Sequence, residues 1–108
     1  MRKLKPLRPT LRQKKRYLAF EILSKQPVPQ AFPWMADRLS AVLGQFGAAQ
    51  AGIIPVDYDP KAQRGLLKTS AASLDRVKAA FLFLDSDMIV RSAGVSGILS
   101  KARRFLET

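Results

Sequence analysis

The chain of 108 residues contains no cysteine and no histidine. Without cysteine it has neither a disulfide framework nor a thiolate metal site. Without histidine it lacks the commonest general base and metal ligand. It has no apolar run of about 18 residues, the length that signals a membrane-spanning helix. No apolar stretch follows its basic start in the way a secretory leader requires. Acids are scarce as well: eight Asp and Glu stand against 19 Lys and Arg, a net charge of +11. A soluble protein of the cell interior is the expectation. At 47% hydrophobic residues, the chain has enough apolar material for one core without staples.

The positive charge is uneven. Residues 1–16 hold eight bases (Arg2, Lys3, Lys5, Arg8, Arg12, Lys14, Lys15 and Arg16) and no acid. The remainder holds eleven bases and all eight acids, a net of +3. A nearly balanced domain is therefore led in by a strongly cationic segment. Such a segment suits a polyanion, nucleic acid above all. A solvated basic tail is the plain alternative. Against it, the charges run without a gap into "RYLAFEIL", which reads as a strand entering a core.

Pro6 and Pro9 sit among the first charges, and proline has no N–H to give a helix. Residues 1–11 thus read as an extended basic arm, and residues 12–108 as one domain. The first strand is expected over about 15–24. Arg16, Leu18, Phe20 and Ile22 share one face; Tyr17, Ala19, Glu21 and Leu23 share the other. Both faces are mostly apolar, which marks a central strand covered on both sides. "KQPVPQAFP" (25–33) is a loop, with Pro33 well placed for the first turn of a helix. In that helix Met35, Leu39, Val42, Leu43 and Phe46 recur at helical spacing, Gly44 and Gly47 weaken its end, and "GAAQAG" leads out. "IIPVDY" (53–58) and "LLKTS" (66–70) form a hairpin around "DPKAQRG", and Pro55 makes its first strand an edge or a bulge. Ser73 stands where a helix cap belongs, before a stripe of Val77, Ala80, Phe81 and Leu84. "DSD" is a turn and "MIVRSAGV" (88–95) the fourth strand. A final helix is expected over 96–107. Ile98, Ala102, Phe105 and Leu106 line one side of it, with Lys101, Arg103 and Arg104 elsewhere around it.

The order β-α-β-β-α-β followed by a helix is an α+β, ferredoxin-like pattern, shared by the RNA recognition motif, with a four-stranded antiparallel sheet. Two helices would cover one sheet face. The second face needs the last helix or a partner.

The residues offer little chemistry of their own. Asp57/Asp59 and Asp85/Asp87 are spaced to share a face and suit a Mg²⁺ site, but turn chemistry explains them as well. No glycine-rich phosphate loop is present. "GVSG" before the last helix offers free N–H groups to a phosphate or serves as an ordinary helix entry. RNA recognition motifs stack bases on aromatic rings of their central strands. Here "RGLLKTSA" begins with the right Arg64-Gly65 but places Leu66, Lys68 and Ser70 where rings would stand. Phosphate contact by Lys and Arg is what remains, and it suits a structured RNA read by shape.

Three blocks carry a resemblance: "LRQKKRYLAFEIL" near the start, "GAAQAGIIPVDYDPKAQRGLLKTS" in the middle and "IVRSAGVSGILSKARRFL" at the end. With their R-Y-x-x-F-E, Y-D-x-x-x-Q-R-G and G-V-S-G-x-I/L patterns in this order, they resemble the ribonuclease P protein component 2 family. That family is the archaeal form of a subunit shared by eukaryotic RNase P and RNase MRP. The resemblance implies a core like that of the RNA recognition motif, inside a ribonucleoprotein that removes the 5′ leader of precursor tRNA. It implies that the RNA subunit performs the hydrolysis with its own Mg²⁺. This chain would then be a non-catalytic subunit of an endoribonuclease, with no cofactor or metal of its own. It implies RNase P RNA, precursor tRNA and other RNase P proteins as partners. Among these is a barrel-type subunit, component 3, in a two-plus-two assembly. It also implies a cytoplasmic location for an archaeal protein, or a nuclear and nucleolar one for a eukaryotic protein. No membrane is involved. The RNA contacts it implies are Arg12, Lys14, Lys15 and Arg16 in the first block, Arg64 in the second, and Arg91, Lys101, Arg103 and Arg104 in the third.

Three other readings compete: a basic ribosomal or other ribonucleoprotein subunit, a small-molecule-sensing domain of the same topology, and a free-standing metal-dependent nuclease. The charge makes a measurable prediction. If about five bases neutralise phosphates, RNA affinity falls on the order of 10² between 50 and 200 mM salt. A binding titration across that range checks it, and a flat response removes the polyanion reading.

Overall fold

A strand that is apolar on both sides has to run through the middle of its sheet, and β1 does. The computed structural model describes residues 14–107; the arm read over 1–11 and Arg12 lie outside the described residues. The elements are β1 (Lys15–Leu23), α1 (Ala31–Ala51), β2 (Ile54–Asp59), β3 (Arg64–Ser70), α2 (Leu74–Ala80), β4 (Ile89–Ser96) and α3 (Leu99–Arg104). Single 3₁₀ turns, Ala71–Ser73 and Phe81–Phe83, flank α2. The sheet is antiparallel in the order β2-β3-β1-β4. This is the ferredoxin-like arrangement expected.

Alternation along β1 separates two cores. Leu18, Phe20 and Ile22 pack with Met35 and Leu39 of α1, Val77 of α2 and Phe81 beyond it. Ala19 and Leu66 form the second cluster with Ala102 of α3, joined by Tyr17, Phe105 and Leu106. The last helix thus supplies the second cover. Two glycines permit these close approaches. A Cβ on Gly94 would stand 2.5 Å from Cδ1 of the Phe105 ring, so that ring can lie on β4 only because no side chain is there. A Cβ on Gly65 would stand 2.9 Å from Cε2 of Phe20 and 3.0 Å from the Asp57 carbonyl oxygen.

Strand β2 lies at the sheet edge and its register with β3 shifts between Pro55 and Asp57. Pro55 is therefore both on an edge and at an irregularity, as proline's missing donor requires.

Several expectations need correction. α1 does not give way at "GAAQAG" but continues to Ala51, with a break at Gly44 (φ 79°, ψ 171°). Its last carbonyls are satisfied from β3: Thr69 Oγ1 donates to Ala51 O (2.8 Å) and Ser70 Oγ to Gln50 O (3.0 Å). Gly52, left-handed at φ 55°, closes the helix by donating to Ala48 O. The break at Gly44 interrupts the helical phase, and beyond it Phe46 is 87% exposed rather than part of the core stripe. Val42 is also exposed. Ser73 holds the N-cap position of α2 but its side chain makes no capping hydrogen bond. α3 is shorter than expected. β4 runs through Ser96 and Ile98 is still extended (φ −117°, ψ 123°), so the first helical residue is Leu99. Leu99 accordingly packs in the second core, and Ile98 is exposed.

The Gly65 contact yields a prediction. Gly65→Ala forces a methyl against the Phe20 ring and the β2 backbone, at a cost of about 1–3 kcal/mol. Chemical denaturation of the variant against wild type measures it.

Candidate nucleic-acid interface

The described candidate contacts fall into three groups along and over the sheet. At the start of β1, Lys14, Lys15 and Arg16 are held by the strand itself. The Lys14 carbonyl accepts the Ala71 N–H at 2.8 Å, and Lys15 and Arg16 pair with Ser70 and Thr69 of β3. The Lys15 amine lies beside Gly52, 3.4 Å from where a Cβ there would stand. That is the C-terminal end of α1, where the helix dipole favours a positive charge. The Arg16 guanidinium lies at the same 3.4 Å over Gly97 and donates to the Lys15 carbonyl at 3.0 Å. These charges therefore have a fixed base, as expected of a strand that begins beneath them.

Near the other end of β1 stands Glu21, flanked by β3 and β4. Its register partners are Arg64 and Arg91. Arg91 donates from Nε (2.9 Å) and Nη2 (2.6 Å) to Glu21 Oε1, and Arg64 Nε lies 3.4 Å from Oε2. The Glu21 side chain is 14% exposed. Hydrogen bonding by Arg91 holds its carboxyl below the ordinary carboxylate range, aided by the charges of Arg91 and Arg64 and opposed by burial.

The third group is on α3. Lys101, Arg103 and Arg104 are exposed in the last turn, a position the helix dipole also favours. Arg103 reaches Asp57 Oδ2 at 2.7 Å. Among the described residues, Lys101 and Arg104 form no ion pair. Lys68 stands over the Tyr17 ring, 5.8 Å from its centroid.

The structure thus brings Arg64 and Arg91 together on one carboxylate and sets Lys101, Arg103 and Arg104 on the helix over the same face. It leaves Lys14, Lys15 and Arg16 as a separate cluster. Arg12 lies outside the described residues. Stacking of bases on the sheet is blocked as well as unprovided for. Leu66 is fully buried beneath α3, and the face that an RNA recognition motif leaves open is covered.

Three of the four paired carboxylates, those of Asp57, Asp59 and Asp85, have turn or side-chain partners. Asp59 Oδ1 accepts the Lys61 and Ala62 N–H groups, Asp85 Oδ1 accepts the Asp87 N–H at 2.7 Å, and Asp57 accepts from Tyr58 and Arg103. At "GVSG", Ser96 Oγ accepts the Ile98 N–H at 3.0 Å, an ordinary helix entry.

Sequence reasoning singled out Arg64 but not its neighbours in the pattern. Gln63, with φ 54°, donates from Nε2 to the Ile22 carbonyl (2.8 Å) and accepts the Val28 N–H at Oε1 (3.0 Å). Tyr58 donates its hydroxyl to the Val28 carbonyl at 2.5 Å, and burial pushes its phenol above the ordinary range. Its ring stacks on Phe20, centroids 6.3 Å apart. Y-D-x-x-x-Q-R-G is thus a clasp, in which Tyr58 and Gln63 hold the loop after β1, Arg64 takes Glu21 and Gly65 admits Phe20. The signal available in the sequence was that the first and second blocks occur together.

A family model described as the Rpp14/Pop5 family matches residues 16–107. The chain is 34% identical over 110 residues to ribonuclease P protein component 2 of Pyrococcus abyssi, covering 94% of this chain and 92% of that protein. It is 34% identical over 110 residues to the protein of that name in Thermococcus kodakarensis, covering 94% and 90%. It is 36% identical over 107 residues to the one in Methanococcus vannielii, covering 93% and 80%.

The Glu21 pairs set a pH dependence. Because the folded carboxyl is more acidic than the unfolded one, its stabilisation is present above the unfolded value of about 4.3 and is lost as pH falls through the lower folded value. At pH 7, Glu21→Gln should cost on the order of 1 kcal/mol, the exposed Arg91 partner limiting the effect. The gap in melting temperature between wild type and variant should close below about pH 4.3. A gap that persists unchanged to pH 3 contradicts the assignment.

Proposed function

The chain belongs to the Rpp14/Pop5 family, and we propose that it serves as a protein subunit of ribonuclease P, supporting the RNA subunit in 5′-leader removal from precursor tRNA. The observation that carries this reading is the agreement of a whole-domain match, over residues 16–107, with relatives of one name. Those relatives are RNase P components, so a ribosomal role has no support beside it.

The geometry fits a subunit that acts through phosphates. Cations stand at both ends of β1, on backbone fixed by the sheet, and on α3, which packs over that sheet. A rigid array of positive charge lets phosphate groups approach one another at reduced electrostatic cost, which favours a compact RNA. In this reading the RNA performs the hydrolysis with its own Mg²⁺. This chain positions RNA backbone and supplies no catalytic group, cofactor or metal. The contacts proposed are Arg12, Lys14, Lys15, Arg16, Arg64, Arg91, Lys101, Arg103 and Arg104. The other partners are precursor tRNA, further RNase P proteins and the barrel-type component 3 in a two-plus-two assembly. No helix among the described residues is long and apolar enough to cross a membrane. A cytoplasmic site of action, as for an archaeal particle, belongs to the same reading.

Reconstitution tests it. Precursor-tRNA cleavage by the cognate RNase P RNA at low Mg²⁺ should require both the RNA and this chain with its barrel partner. Changing Arg12, Lys14, Lys15 and Arg16 together to Ala should leave the circular dichroism spectrum intact while reducing the salt slope of RNA binding by about 3. Unchanged affinity at 150 mM salt would remove the β1 cluster from the interface. A lack of stimulation by the wild-type chain would remove the subunit role.

A further inference from the structure

Two arginines share one carboxylate at the open end of the α3-covered face, and this excess is the feature that ordinary cross-strand pairing does not require. Glu21, Arg64 and Arg91 line a shallow hollow of about 310 Å³ with Ser92, Ala93 and Phe105. The carboxylate offers both oxygens, one to each arginine. The trio keeps a net charge of +1. Arg64 is engaged through Nε and Arg91 through Nε and Nη2. The other guanidinium N–H groups of the two take no acceptor among the described residues. The Arg91 side chain is 60% exposed and that of Arg64 23%, so both are reachable from solvent, whereas Glu21 is largely covered.

Resting on the RNA-binding reading above, we infer that Glu21 is a positioning residue that holds Arg64 and Arg91 as a two-pronged clamp for an RNA backbone phosphate. An arginine is a planar fork with five donors, matched to a phosphate when its plane is fixed. Free arginine side chains lose rotamer entropy on binding; here a bond to the carboxylate has already fixed the inner edge of each. The three residues come from three adjacent strands, β3, β1 and β4, so their spacing is set by the sheet. Strand geometry, rather than a mobile loop, thus fixes where the phosphate sits. A carboxylate placed only to neutralise the arginines makes the opposite prediction, because removing it would strengthen RNA binding.

The test uses the full chain with two probes, the cognate RNase P RNA and an unrelated folded RNA of equal length. Affinity is measured from 50 to 200 mM salt for wild type, Glu21→Gln, Arg64→Ala/Arg91→Ala and the triple variant. Melting temperature is recorded for each. The expected result is that Glu21→Gln weakens binding on the order of tenfold at 150 mM salt and flattens the salt slope by about 0.7–0.9, the loss of one phosphate contact. The arginine changes should then add little in the Glu21→Gln background, a coupling that a purely structural role would not produce. Arg64→Lys/Arg91→Lys keeps Glu21 and the charge but loses the forks, and it should bind as weakly as Glu21→Gln. Unchanged or tighter binding by a folded Glu21→Gln protein overturns the proposal, as do strictly additive effects. If wild type binds both RNAs equally and Glu21→Gln weakens both, the clamp stands and the RNase P reading falls. If wild type binds neither RNA at 50 mM salt, both fall.

Discussion

A central strand with apolar side chains on both faces must be covered twice, and most of this structure follows from covering β1. Leu18, Phe20 and Ile22 call for the α1–α2 layer; Tyr17 and Ala19 call for α3. Burial of one large apolar side chain contributes roughly 1.5–3 kcal/mol, so neither face of β1 can be left to water. The second cover has a functional consequence. It closes the surface on which related topologies stack bases, and on the proposed RNA-binding role it leaves the charged rim as the route of contact.

The blocks that carry the family resemblance meet at that strand. Phe20 of the first block occupies the space left by Gly65 of the second, Glu21 takes Arg64 of the second and Arg91 of the third, and Arg16 lies over Gly97. The Phe20 ring stacks with Tyr58 and meets Phe32 edge-on at 5.8 Å. Motifs that look like separate RNA-binding elements in one dimension are thus also the joints that fix the fold. A residue at such a joint can serve both purposes, because the hydrogen bond that fixes one edge of a guanidinium leaves the other edge to a ligand.

How much of this was legible follows from the range of the forces. The strands, their order and the role of Pro55 follow from alternation and from proline's missing donor, which are local. The Asp59 and Asp85 turns are local too. The reach of α1 to Ala51 was hidden, because the groups that satisfy its last carbonyls, Thr69 and Ser70, lie 18 and 20 residues away. The start of α3 was hidden because β4 pairing holds Ser96 extended, opposite Tyr17. The candidate contacts Arg64, Arg91 and Arg103 were visible as charges, but their acid partners lie 43, 70 and 46 residues away. In composition Glu21 is one carboxylate among eight acids; only the register of three strands makes it the point at which two arginines meet.

Those pairings divide the cations by partner. Arg64, Arg91 and Arg103 are tied to carboxylates, whereas Lys101 and Arg104 are not tied among the described residues. A tied arginine has already lost rotamer freedom and presents its remaining donors at one angle; a free lysine keeps its reach but gives up entropy on contact. Free cations raise affinity for any polyanion and set no orientation. Tied ones add little to long-range attraction, since each partner carboxylate offsets a charge, but they discriminate by angle. Among the described residues the sheet offers neither stacking rings nor an open face. On the clamp reading, acids placed beside bases therefore orient the cations as well as offset their charge.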